Sequence, residues 1–277
     1  MESIAISPKN ALKPREIAGN EDTGLLKIIA LVCMIIDHVG ARICPQTREL
    51  RIIGRIAFPL YMWCMVVGAC HTRCPWRYAL RLLLVGVIAQ PCYMLGLNHE
   101  WTKLSVYATL FLGYLGIWGI RENKGGSRYW APLIVLAIPC FVPMDYGWRG
   151  VLLIMLLYLA RQRRGSILAV MVAYCLFWGG TVSPEQKFLG LSLNDLFKNI
   201  PLLSTVFREF STYFLRIQTL ALLAVPLMLW PRRTRTPLPK WAGYAAYPGH
   251  LLILWLVELS MGIMTMAQSL KLLFPWR

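Results

Sequence analysis

Two adjacent ionisable residues, Asp37 and His38, stand inside the apolar run LLKIIALVCMIIDHVGAR, and Arg42, Arg51 and Arg55 follow them. An ionisable group in hydrocarbon costs at least about 2.5 kcal/mol, so one that is kept there has a partner, a function or both. Histidine takes and returns a proton near neutral pH, which is what a general base acting on an amine or hydroxyl must do. His38 and Arg42 are four residues apart and share a helical face, whereas Asp37 points about 100° away from His38. Asp37 is therefore better placed to pair with Arg51 or Arg55, four apart on the following segment, than to orient His38. The same residues also suffice, without any chemistry, as a buried ion-pair network tying two helices together. Spacing leaves both readings open.

A second group is Arg73, Arg77 and Arg81 with His71 beside them. Guanidinium groups bind phosphate oxygens bidentately, so this cluster suits a phosphate-bearing ligand; lipid headgroups and membrane topology account for it equally well. Gln90-Pro91 falls inside an apolar segment, where a proline frees a backbone carbonyl that must face protein or a water-filled cavity. Gln218, with Arg216, lies early in a later segment, and His250 enters the last one. Only two acids, Asp37 and Glu258, fall within the apolar segments, and an arginine partner is sufficient to explain Glu258. Cys70-His71-x-x-Cys74 has ligand-type residues but no second Cys or His pair to complete a metal site, so no metal is expected. Phosphate-loop, nucleotide-binding glycine, serine-elbow and H-E-x-x-H motifs are missing, so any site must be built from the apolar segments themselves.

Those segments dominate the chain. It is 57% hydrophobic and 15% charged, against about 25% charged for soluble domains. Nine apolar segments approach the roughly 20 residues that cross a bilayer: 25–44, 52–70, 79–97, 104–120, 130–143, 147–160, 166–181, 210–230 and 244–265. The expected fold is all-α, a polytopic transmembrane helical bundle of about nine helices in a single domain over 25–265. Segment 130–143 is short and holds Pro132 and Pro139, so tilting, kinking or re-entry is expected there. The net charge of +16 lies mostly in alternate short loops, a pattern that reports topology and argues against nucleic acid as a partner. It places the amino terminus in the cytoplasm. Residues 1–24 read as a polar cytoplasmic tail without a cleavable leader, 184–206 as an amphipathic interfacial segment, and 266–277 as a short tail.

The blocks LLKIIALVCMIIDHVG and LRIIGRIAFPLYMWCMVVG, followed by VIAQP, MDYGWRGVLLIML, QTLALLAVPLMLW and YPGHLLIL, resemble the TraX family of conjugal-transfer proteins, the pilin N-acetyltransferases. The resemblance runs from about Leu25 to Met261. It implies a multi-pass enzyme of the bacterial inner membrane that acetylates the terminal amine of a pilin subunit with acetyl-CoA as donor. The family is similar in outline to larger membrane acyltransferases in which a histidine on an early helix is catalytic. Carried onto this sequence, the resemblance makes His38 the base and gives it Asp37, Arg51 and Arg55 as charged partners. It implies cofactor contacts at Arg51, Arg55, His71, Arg73, Arg77, Arg81 and Gln90, and substrate contacts at Asp145, Tyr146, Arg149 and His250. Acetyl-CoA is expected to dock at the Arg73–Arg81 end and reach inward to His38. Two other readings remain at this level: a non-enzymatic membrane factor for pilin assembly, and an O-acetyltransferase for a glycan or lipid hydroxyl. Transport is disfavoured by the lack of an internal repeat.

Overall fold

The computed structural model describes residues 16–179, 187–188, 191–192 and 218–274. The chain is helical in the order α1 (Thr23–Arg42), α2 (Arg48–Gly54), α3 (Ala57–His71), α4 (Pro75–Leu97), α5 (Val106–Glu122), α6 (Ser127–Phe141), α7 (Gly147–Ala160) and α8 (Arg164–Gly179). After a two-residue antiparallel pair, Lys187–Phe188 with Leu191–Ser192, come a 3-10 turn (Thr219–Ala224), α9 (Val225–Leu229), α10 (Lys240–Ser260) and α11 (Met266–Leu273). Among the described residues, helices stand where the apolar segments predict them, except that 210–217 lies outside those residues and the rest of that segment is the 3-10 turn and α9. The amphipathic reading of 184–206 lies outside the described residues apart from that short pair, as does Arg216.

Among the described residues, α1, the α2–α3 unit from Glu49 to His71, and α4 are long and apolar enough to cross a membrane. Helix α7, with 14 residues, is about 21 Å long against a hydrocarbon core of about 30 Å, so length alone does not make it a full crossing. Helix α6 keeps Pro132 and Pro139 within a 15-residue helix.

The second segment is not the single helix that its apolar run suggests. Pro59 has no N–H to give to the carbonyl of Arg55, and the chain tightens there through Arg55 N–H to Ile52 O and Ile56 N–H to Ile53 O before α3 begins. This bend lets α2 pack on the carboxyl-terminal part of α1. At the contact, a side chain on Gly54 would collide with the Asp37 carboxylate, so only glycine permits this approach.

Residues 16–22 differ from the free tail expected of them. Trp63 Nε1 donates to Asn20 O at 2.8 Å, and Asn20 N–H donates to Met228 O at 2.7 Å. Asp22 is fully buried: it caps α1 through Leu25 N–H and accepts from Thr236 N–H, Thr236 Oγ1 and Arg232 Nε. A polar segment buries here because it satisfies backbone groups that the α9–α10 connection leaves open. Beyond Ser260 the expected tail is also structured, with a Thr265/Gln268 capping box starting α11.

These connections define two ends. One gathers the start of α1, the end of α3, the start of α4 and the α9–α10 connection, and carries Arg73, Arg77, Arg232 and Arg233. At the other end lie the α1–α2 turn, the loops Asn98–Ser105 and Val142–Tyr146, the end of α8 and the end of α10.

Candidate active site

Helix α1 presents His38 and Arg42 on one face, and α10 runs alongside in the same direction. His38 Nδ1 lies 2.9 Å from His250 Nε2. The ring centroids are 5.1 Å apart and the planes 16° apart. That separation equals the N···N distance plus two ring radii, so the rings meet edge to edge. His250 Nδ1 lies 3.0 Å from the Ala246 carbonyl, which can only accept. In the neutral pair His250 therefore carries its proton on Nδ1 and accepts on Nε2; His38 must then donate from Nδ1. Nε2 of His38 is left as the free acceptor of the pair, the tautomer that a general base requires.

One turn further, Arg42 forks onto Glu258, with Nε to Oε1 at 2.7 Å and Nη2 to Oε2 at 2.8 Å. On the neighbouring face Asp37 lies between the two arginines that the spacing nominates. Arg55 Nη2 is 2.9 Å from Oδ1, and Arg51 Nη1 is 3.2 Å from Oδ2. Arg55 also reaches Gln218 Oε1 at 3.5 Å.

Two cavities meet at Asp37, His38, Asp145 and Tyr146. One is a polar basin of about 530 Å³ whose walls include Arg42, Arg51, Arg55, His99 and Lys103. The other is a slot of about 60 Å³ walled by Met34, Phe58, Tyr61, Val106, Leu110 and Tyr247 and extending to Gly243. His38 therefore stands between a charged compartment and an apolar one.

A knot of two loops holds the floor. Leu104 N–H donates to Pro143 O at 2.9 Å, and Asp145 N–H donates to Leu104 O at 3.0 Å. Gln90 clamps the knot from α4, with Nε2 to Lys103 O at 2.8 Å and Oε1 accepting from Ser105 N–H at 2.9 Å. Tyr146 takes a left-handed backbone, φ +64°, which is strained for a bulky residue. Its ring stacks on Phe58 at 3.3 Å, with Trp178 edge-on at 5.9 Å. Lys103 Nζ bridges Asp145 Oδ1 at 3.1 Å and His99 Nε2 at 3.2 Å.

His99 lies in the Asn98–Ser105 loop, and burial, then the Lys103 ammonium, push its pKa below the usual 6.5. The folded protein thus binds fewer protons there than the unfolded chain, so the contribution of His99 to stability is full above pH 6.5 and is lost as the pH falls toward the lowered value. We expect limited proteolysis of this loop to accelerate between pH 7.5 and pH 5.5, and His99→Gln to flatten that dependence. An unchanged cleavage rate in the wild type across this range would refute it.

Of the residues nominated from sequence, the structure brings together Asp37, His38, Arg51, Arg55, Asp145, Tyr146 and His250, with Gln90 behind the loop. His250 meets His38, not open cavity. Arg149, one turn beyond Tyr146, has its guanidinium 5.3 Å from the Trp148 ring centre, and its buried Nε lacks a hydrogen-bond partner among the described residues. His71 pairs with Glu21 at 3.0 Å. Arg73, Arg77 and Arg81 are exposed at the opposite end and line neither cavity. Sequence reasoning missed His99 and Lys103, whose signal was an i, i+4 pair of polar residues just past the end of an apolar helix.

The chain is similar to other bacterial proteins. It is 28% identical over 148 residues to uncharacterized protein RP591 of Rickettsia prowazekii (strain Madrid E), covering 52% of this chain and 57% of that protein. It is 39% identical over 72 residues to the probable fimbrial assembly protein FimC, serogroup H1, of Dichelobacter nodosus, covering 24% of this chain and 30% of that protein. The chain thus spans little more than half of the first relative and under a third of the second. No solved structure matches it. Residues 22–258, which include α1, the basin and both site histidines, match the family described as TraX protein, and the chain belongs to that family.

Proposed function

We propose that this protein is a multi-pass enzyme of the bacterial inner membrane that transfers acetyl from acetyl-CoA to the terminal amine of a conjugative pilin subunit. The observation that carries the reading is the His38–His250 pair, which frees His38 Nε2 as a proton acceptor where a charged basin meets an apolar slot. Membership of the TraX family and the similarity to a probable fimbrial assembly protein point the same way.

In this scheme the acceptor amine enters the basin. His38 Nε2 takes a proton as the nitrogen attacks the thioester carbonyl, the C–S bond breaks, and that proton passes to the departing sulfur. An amide and a free thiol result. A free α-amine, with a reference pKa near 8, is nucleophilic enough that no acyl-enzyme is needed. Arg51 and Arg55, held by Asp37, supply fixed positive charge for the developing oxyanion.

The donor fits in two parts. Arg73, Arg77 and Arg81 are exposed cations suited to phosphates. The slot suits a narrow uncharged acyl arm, and it runs from His38 along α10 toward that same end, as far as Gly243. The basic residues of the Arg73 end support a cytoplasmic position for it, with the basin on the opposite face.

One observation favours a competing structural role: the basin charges are paired within the protein, Arg42 with Glu258, Arg51 and Arg55 with Asp37, and Lys103 with Asp145. Incubating purified protein with carbon-14 acetyl-CoA separates the readings. We expect label on the terminal amine of a pilin peptide. Folded protein that labels nothing leaves the assembly-factor reading, and label on a sugar or lipid hydroxyl changes the acceptor class.

A further inference from the structure

A second cleft, of about 440 Å³, opens on the outer side of Arg42 between the loop after α4 and helix α11. Arg42 is common to the walls of this cleft and of the basin, so the two spaces adjoin at its guanidinium. Resting on the acetyl-transfer reading, we propose that this cleft is a polypeptide subsite, holding the residues that follow the acceptor amine in extended form.

The position of Arg42 sets the register. It lies one turn beyond His38, about 6 Å along α1. An extended chain advances about 3.3 Å per residue, so a peptide with its amine at His38 passes Arg42 after about two residues. The fork onto Glu258 uses Nε and Nη2, and Nη1 has no hydrogen-bond partner among the described residues. A donor held this way suits a passing backbone carbonyl.

Beyond it the lining changes from charge to amide and aromatic groups. Asn98 and Gln268 face the cleft, and Gln268 spends its Oε1 on the cap of α11, which leaves its NH₂ to donate. Trp101, 57% exposed, offers a flat apolar wall, and Glu100 and Lys271 complete the rim. Backbone recognition needs donors and acceptors of this kind together with a surface for side chains. The cleft has firm sides: Trp255 Nε1 donates to Ser269 Oγ at 2.9 Å, fastening α11 to α10. A small sugar or lipid hydroxyl acceptor would have no use for it.

Alanine amide and its di- through hexapeptide amides provide the probe, because recognition of backbone is tested without choosing side chains. With saturating acetyl-CoA, kcat/KM is expected to climb between two and five residues and then level off. Trp101→Ala is expected to lower the pentapeptide value about tenfold, as loss of an aromatic anchor does. A flat wild-type series overturns the proposal. A second measurement needs no turnover: a pentapeptide with a benzophenone side chain at its fourth residue, irradiated with the protein, is expected to cross-link within 98–101 or 263–272. Cross-linking in the cleft with no acetyl transfer would remove the acetyltransferase reading and keep the subsite. Transfer with cross-links elsewhere would do the reverse. A phospholipid retained in native mass spectra by the wild type and lost by Trp101→Ala would give the cleft to lipid and overturn the proposal.

Discussion

Replacing His38 by alanine is expected to lower acetyl transfer about a thousandfold in kcat, within the range of 10² to 10⁴ that a positioned general base supplies. KM for acetyl-CoA should change little, since the proposed role of His38 is on the proton of the acceptor and not on the phosphates. The readout is mass spectrometry of the acceptor terminus in cells carrying the variant at wild-type abundance. Full acetylation there would remove His38 from the mechanism. The tautomer of His38 is tested separately through His250. Glutamine in its place still accepts a hydrogen bond from His38 Nδ1, whereas leucine accepts none. We expect His250→Gln to keep most of the rate and His250→Leu to lose about tenfold or more, the scale of one charge-neutral hydrogen bond whose acceptor is lost. Equal loss in both would mean that His250 only fills space.

The second large effect concerns stability. Glu258 is fully buried and Arg42 is not, its side chain being 21% exposed. Removing Arg42 therefore leaves a buried carboxylate without its counter-charge, while removing Glu258 leaves a guanidinium that can turn toward the basin. Breaking a buried pair costs about 3–5 kcal/mol, and replacing both partners by apolar groups of similar size is often neutral. We expect Arg42→Met to lie at the upper end of that range and Glu258→Leu below it. The double variant should return most of the way to wild type. Chemical denaturation in detergent micelles measures all three. A double variant as unstable as Arg42→Met would show that the loss lies in packing and not in the stranded charge.

Much of the architecture was legible because the apolar runs are long and the ionisable residues within them few. The pairing of Asp37 with Arg51 and Arg55 followed from spacing on adjacent segments, where four residues make one face. The break before α3 was also written in the sequence, as Pro59, but only the packing of α2 on α1 shows what the bend accomplishes. The pairing of His38 with His250 was not legible: it joins positions 212 residues apart, and periodicity reports which face a residue takes, not which helix that face will meet. The Arg73–Arg81 cluster was legible as far as its place at the start of α4. That position sets it at the other end of the bundle from His38. Asp22 was hidden because a polar segment gives no periodic signal, and the donors it satisfies, the Thr236 N–H and hydroxyl and the Arg232 guanidinium, lie more than 200 residues away.

That stitching has a consequence for synthesis. The cap of α1 is completed by Asp22 with Arg232 and Thr236, and the ring that sets the His38 tautomer belongs to α10. At translation rates of roughly 5–20 residues per second, the 212 residues between the two histidines take on the order of 10–40 s to emerge. Throughout that interval the first helix has neither its buried cap nor its proton-ordering partner. Chains stopped short of α10 hold His38 without His250, so the site comes into register only once α10 has been made.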